Sequence, residues 1–116
     1  MKHTLEQLQE KTNAELDEIC ALAQGWKKNY QSIDSEEAFM CLWRKGLKTI
    51  KLSEYTPTTN KEQAVDLMVT YEMVIVRYNE RHAVGISNEN MVPFTYGIDF
   101  LRAVTIASIL AAQEGK

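Results

Sequence analysis

The sequence predicts an α+β fold, in which a small antiparallel sheet of about four strands has helices on both faces, as an α/β/α sandwich. Three segments repeat apolar residues at the three- and four-residue spacing of a helix. Between them lie short stretches rich in β-branched and aromatic residues, separated by polar turns. Short turns favour antiparallel pairing, and three amphipathic helices are most economically placed on both faces of one small sheet.

Two of the three helices are predicted from their first turns. Thr12 and Glu15 have the spacing of a capping box, and Gly25 stands where a left-handed helix end favours glycine. The apolar stripe of this helix consists of Leu16, Ile19, Cys20 and Ala23. Thr59 and Glu62 form a second capping box ahead of the next helix.

The strands are predicted in two groups. Residues 38–43 and 48–52 flank a turn at Gly46, and the second of these segments alternates with period two. Residues 73–78 and 83–87 are predicted to form a second antiparallel hairpin. A polar loop follows, and Pro93 is predicted to end the strand region.

The last predicted helix is apolar on nearly all sides. It runs from about residue 97 to residue 113, with a polar stripe of Arg102, Thr105 and Ser108. Such a helix has to be covered on most sides. We expect it to be sandwiched within the fold; the alternative is a homodimer seam formed by Ile98–Ala112.

Length and composition indicate a single domain. The chain has 116 residues, of which 45% are apolar and 25% charged, close to the globular average. We divide it into an N-terminal extension over residues 1–11, partly helical, and one α+β domain over residues 12–113.

Charge and hydropathy argue against nucleic acid and membranes. The net charge is −3, and the one local excess of positive charge, over residues 43–51, is short, so a duplex nucleic-acid partner is not expected. The longest apolar stretch, Ile98–Ala112, is too short to span a bilayer and contains Asp99 and Arg102. The N-terminus has no signal core, so we expect a cytoplasmic protein.

No catalytic or metal-binding pattern is found in the sequence. Cys20 and Cys41 lack a second Cys or a His at metal-ligand spacing. His82 is predicted in a turn beside Glu80, and one His with one Glu is too few for a metal site. We therefore predict no enzyme, no cofactor and no metal.

Several segments resemble the bacteriophage "ABA sandwich" domain. The run Thr12–Ile19 followed by Gly25-Trp26 is similar to the opening of that family, a short T-N-x-E-L-D helix ending in Gly-Trp. Residues 55–59 are similar to its Y-S-T-D segment, although Thr-Pro-Thr-Thr replaces the usual Asp, and the Ala-rich Ile98–Ala112 fits its final helix. The resemblance implies a phage or prophage accessory protein with helices flanking a sheet, in the cytoplasm of the bacterial host.

The function predicted is non-catalytic binding to a host or phage protein, in host takeover or counter-defence. Protein interfaces favour Trp, Tyr and Arg as anchors. On that ground the predicted partner-binding residues are Trp26, Tyr30, Tyr55 and Arg81.

An alternative is a protein that sequesters a signalling nucleotide. The segment before the second helix ends at a helix N-terminus, where free amides and the helix dipole favour an anion. The predicted ligand-binding residues are Thr56, Thr58, Thr59 and Arg77. Ordinary helix capping explains the same threonines, and the chain has no glycine-rich phosphate loop.

Overall fold

A computed structural model describes residues 2–33, 38–78, 81–86, 89–95 and 99–115, with the side chains at 29–33, 38–41, 78 and 89–90 outside that description. The helices are α1 (Leu5–Gln9), α2 (Asn13–Ala23), α3 (Lys61–Thr70) and α4 (Phe100–Gln113). The strands are β1 (Lys27–Ile33), β2 (Ala38–Lys45), β3 (Lys48–Lys51), β4 (Val74–Tyr78), β5 (Arg81–Ile86) and β6 (Glu89–Phe94). A 3₁₀ turn over Leu52–Glu54 follows β3.

The α+β prediction is confirmed, with antiparallel strands throughout the described residues. The strands form two three-stranded sheets, in the orders β1-β2-β3 and β4-β5-β6, where one sheet of about four strands was predicted. The four predicted strands correspond to β2, β3, β4 and β5, so the prediction missed β1 and β6; it assigned residues 87–90, within which β6 begins, to a polar loop. Since β6 is an edge strand, the missing N–H of Pro93 is tolerated there.

The last helix is the centre of the fold. α4 packs against α1, α2 and α3 and against β5 and β6. Nine consecutive residues, Ala103 to Ala111, are buried. This agrees with a helix sandwiched within one copy, and no homodimer seam is needed to cover those residues. The predicted helix start, near residues 97 and 98, lies outside the described residues.

The polar groups on α4 are paired. Thr105 Oγ1 and Ser108 Oγ donate to carbonyls one turn earlier, so their burial leaves no unpaired hydroxyl. The Arg102 guanidinium donates to Asn13 Oδ1 at 2.7 Å and to the carbonyls of Gln9 and Lys11 at 2.8 and 2.5 Å. Arg102 therefore fastens the junction of α1 and α2 onto α4.

The helix starts agree with the sequence at α2 and differ at α3. Thr12 and Glu15 form the predicted capping box, with bonds of 3.2 and 3.1 Å. At α3 the predicted box of Thr59 and Glu62 is wrong by one residue, because Asn60 caps the helix and accepts from the amide of Gln63. Gln63 can both accept and donate, which a Glu carboxylate cannot; its side chain joins Thr56 N and the carbonyl of Glu54.

Gly25 has φ +92°, the left-handed conformation predicted after α2. No helix in the described ranges is both long enough and apolar enough to cross a lipid bilayer.

The central position of α4 predicts a large effect of a cavity in it. Ile106 is 2% exposed, so we expect Ile106→Ala to lower the free energy of unfolding by about 2–5 kcal/mol. Leu22→Ala is the control, because Leu22 is 55% exposed on α2 and should change it by less than about 0.5 kcal/mol. Urea denaturation measures both, and equal losses would contradict a core centred on α4.

Candidate binding groove

A groove lies between α2 and the first sheet. It is an open cavity of about 310 Å³. Its lining residues are Ala14, Asp17, Glu18, Lys28, Trp43, Leu52, Ser53, Tyr55 and Thr56. One wall comes from α2, and the rest from β1, β2 and the segment that follows β3, so four separate parts of the chain build it.

The carboxylate of Asp17 fixes one side of this groove. It is 9% exposed, and its two oxygens accept from the backbone N–H and the hydroxyl of Thr58, each at 3.0 Å. Burial raises the pKa of Asp17 above its usual value, and the two Thr58 hydrogen bonds oppose that rise. The pair ties α2 to the turn that precedes α3, across 41 positions of sequence.

An aromatic cluster supports the groove from beneath. The Tyr55 hydroxyl lies 3.7 Å from the Cys20 thiol, and the Trp26 and Tyr55 ring centroids are 6.0 Å apart. Burial raises the pKa of Cys20 to about 12 and raises that of Tyr55 further still above neutrality. Both groups are therefore protonated at neutral pH, so Cys20 has the character of a packed thiol and not of a nucleophile.

The outer rim of the groove is charged. Lys28 forms an ion pair with Glu18, and the Lys28 ammonium lies 5.8 Å from the centre of the Trp43 ring. Glu18 and Lys28 are each more than a third exposed, so this pair adds little to stability. The rim therefore carries one carboxylate, Glu18, and one ammonium group beside an aromatic ring, while the Asp17 carboxylate lies deeper in the groove.

The predicted partner-binding residues do not share one surface. Trp26 is half-buried against Tyr55, and Tyr55 is 7% exposed, so both serve mainly to support the groove. Arg81 is exposed at the start of β5, in the other sheet. The backbone of Tyr30 lies in β1, while its side chain is outside the described part of the structure.

The predicted ligand-binding residues are also divided. Thr56 lines the groove, and Thr59 is exposed with its hydroxyl near the Thr56 carbonyl. Both donors of Thr58 point to Asp17, so a carboxylate of the chain itself lies where an anion would bind. Arg77 is exposed on β4, in the second sheet.

Sequence reasoning missed the residues that define the groove. Asp17 was not singled out, although it precedes Cys20 and Ala21 by three and four positions and so lies on the buried stripe of α2. A carboxylate on that stripe was the available signal for a buried hydrogen-bonded group. Glu18 and Lys28 carried no such signal, because only tertiary packing places them beside Trp43.

Comparisons with known proteins add no relationship. No model of a protein family, no curated protein and no solved structure matches this chain. The resemblance to the phage sandwich domain therefore stays a prediction from the sequence. Within the residues described, no three His, Cys, Asp or Glu side chains come together in a way that could hold a metal ion.

The pairing of Asp17 with Thr58 predicts a measurable pKa change. Thr58→Val removes a hydroxyl that favours the carboxylate, so we expect the pKa of Asp17 to rise further above its usual value. A carbon-detected NMR titration of the carboxyl group measures it. Thr70→Val, which changes a hydroxyl bonded elsewhere on α3, should leave the Asp17 pKa unchanged. A lower pKa of Asp17 in Thr58→Val than in wild type would contradict the pairing.

The same raised pKa determines how stability varies with pH. The folded protein holds the Asp17 proton more tightly than the unfolded chain, whose carboxyl titrates near 3.8. The contribution of Asp17 to the free energy of unfolding is thus fully present below that pH and is lost as pH rises through the folded pKa. Wild type should therefore exceed Asp17→Asn in stability by more at acid than at neutral pH, as measured by urea denaturation.

Proposed function

We propose that this protein acts without catalysis, by binding a peptide segment of a protein partner in the groove between α2 and the first sheet. The segment that fits best has an apolar side chain next to a basic one. The observation that carries this proposal is an apolar, largely aromatic floor with two carboxylates, Asp17 and Glu18, beside it in one open cavity.

The floor of the groove supports an apolar contact. Trp43, Leu52 and Tyr55 supply it, and all three belong to the hydrophobic core or pack directly against it. A floor held by core packing is already ordered, so binding a partner side chain carries no further cost of ordering the floor. A cavity of about 310 Å³ is at the small end of ligand pockets and suits one side chain of a longer segment.

The rim of the groove supports a basic neighbour. Glu18 is about half exposed and carries the accessible negative charge, while Asp17 lies deeper. A Lys or Arg of the partner can share Glu18 with Lys28 and lie near the face of Trp43. Since the contact is at the surface, salt is expected to weaken it.

The origin of the partner is proposed from the sequence resemblance. A phage or prophage accessory protein acts on proteins of the phage or of the bacterial host. We therefore propose a partner of either kind, met in the cytoplasm of the host and engaged in host takeover or counter-defence.

The alternative of nucleotide sequestration has less support. Its central donors, the N–H and hydroxyl of Thr58, are already bonded to Asp17. An incoming phosphate would meet that carboxylate and be repelled by it.

Panning of a displayed random-peptide library tests the proposed peptide binding. We expect wild type to enrich peptides with an aromatic or aliphatic residue next to Lys or Arg. Raised salt should weaken the binding of these peptides. Ser53→Trp fills the groove from an exposed position and should abolish the enrichment. Thr49→Trp, at an exposed position of β3 that is not part of the groove, is the matched control. Equal enrichment by wild type and Ser53→Trp would refute the proposal.

Thermal unfolding with a panel of nucleotides tests the alternative. A ligand at a hundred times its dissociation constant stabilises the folded state by about 2.7 kcal/mol, which raises Tm by several degrees. We expect no rise with any nucleotide, because a carboxylate lies at the predicted anion position. A clear rise would favour sequestration over peptide binding.

A further inference from the structure

Strand β4 presents an unusual edge. Val74, Ile75 and Val76 are consecutive and are 43%, 44% and 40% exposed. Among the described strands, β4 is hydrogen-bonded to β5 alone, so the backbone groups of its other edge face no strand. An exposed apolar edge of this kind is a template for pairing with another strand.

On the second sheet, the apolar face that α4 covers at β5 and β6 extends to an exposed residue on β4. Ile75, Val84 and Val92 lie directly opposite one another across β4, β5 and β6, and so share one face of the sheet. Val84 and Val92 are 0% and 1% exposed, because α4 packs against β5 and β6, whereas Ile75 in the same row is 44% exposed. Ile75 is therefore the one residue of this row that α4 leaves largely uncovered.

The other sheet edges carry features that discourage pairing. β3 has exposed Lys48 and Lys51, β1 begins with exposed Lys27 and Lys28, and β6 contains exposed Pro93. Charged lysines and proline on edge strands are common protections against edge-to-edge association. The described residues of β4 from Val74 to Val76 include neither lysine nor proline.

We propose that β4 pairs antiparallel with β4 of a second copy across a twofold axis, which joins two three-stranded sheets into one of six strands. Residues directly opposite must lie on the same face, so the twofold axis passes through a residue position. Only the register with Ile75 opposite Ile75 of the other copy opposes all three exposed apolar residues to apolar ones. Val74 of one copy then lies opposite Val76 of the other. Arg77 lies opposite Met73 of the other copy, and Glu72 of that copy is next to Met73. An isologous contact of this kind closes as a dimer.

This register supports a second copy as the occupant. Every exposed apolar residue of β4 meets an apolar one, and Arg77 does not meet its own copy, so no like charges are opposed. The contact lies in the second sheet and the binding groove beside the first, so either proposal can fail without the other.

Light scattering coupled to size-exclusion chromatography, over a dilution series of the full chain, tests the dimer. We expect wild type to approach twice the chain mass of 13.3 kDa at the highest concentrations. Ile75→Lys puts two ammonium groups opposite each other at the axis, so it should remain a monomer at every concentration. Leu47→Lys is the matched control, because Leu47 is 97% exposed in the β2–β3 region, and it should dimerise like wild type.

Disulfide cross-linking fixes the register and does not depend on how Ile75→Lys folds. In a Cys41→Ser background, Ile75→Cys should form a covalent dimer on oxidation, while Leu47→Cys should not. A wild type that is monomeric throughout would overturn the proposal, whether or not the edge then binds a foreign strand. A dimer that persists in Ile75→Lys and lacks the Ile75→Cys cross-link would place the interface elsewhere and overturn it equally.

Discussion

Burial of α4 is the constraint on which the rest of the structure depends. Its residues from Ala103 to Ala111 are covered on all sides, so helices, the second sheet and the N-terminal turn are arranged around one apolar axis. Burial of apolar surface is the dominant favourable term in folding, and α4 provides an unbroken run of nine buried residues. Because a helix has no free side for a polar face once it is enclosed, its two buried hydroxyls turn back onto the carbonyls of the preceding turn.

The arrangement around α4 leaves the first sheet at one side of the molecule, and this creates the groove. α2 packs on α4 through its buried stripe, which includes Asp17, and Asp17 in turn holds the turn before α3 through Thr58. The floor of the groove is thus formed by core residues and its rim by charged residues of α2 and β1. α4 packs mainly against β5 and β6 of the second sheet, and Ile75 on β4, in the same row as the buried Val84 and Val92, stays partly exposed.

The helices were largely predictable, while the sheets were predictable only in part. Local signals define the capping box of Thr12 and the glycine after α2, since those interactions lie within a few residues. The cap of α3 was missed by one residue because Thr59 and Asn60 are both good caps, and only the contacts of Gln63 with the preceding turn favour Asn60. The division into two sheets depends on long-range pairing, which short-range periodicity does not encode.

By itself the sequence determined the α+β class, the position of the long apolar helix and two of the antiparallel hairpins, β2–β3 and β4–β5, because each follows from periodicity or turn chemistry over a short stretch. Tertiary structure alone decided that Asp17 bonds to Thr58, that Glu18 and Lys28 meet beside Trp43, and that Ile75 lies outside the cover of α4. These residues lie on different elements, and their distances depend on how the elements pack around α4. Packing is a property of the whole chain, so no local pattern contains it.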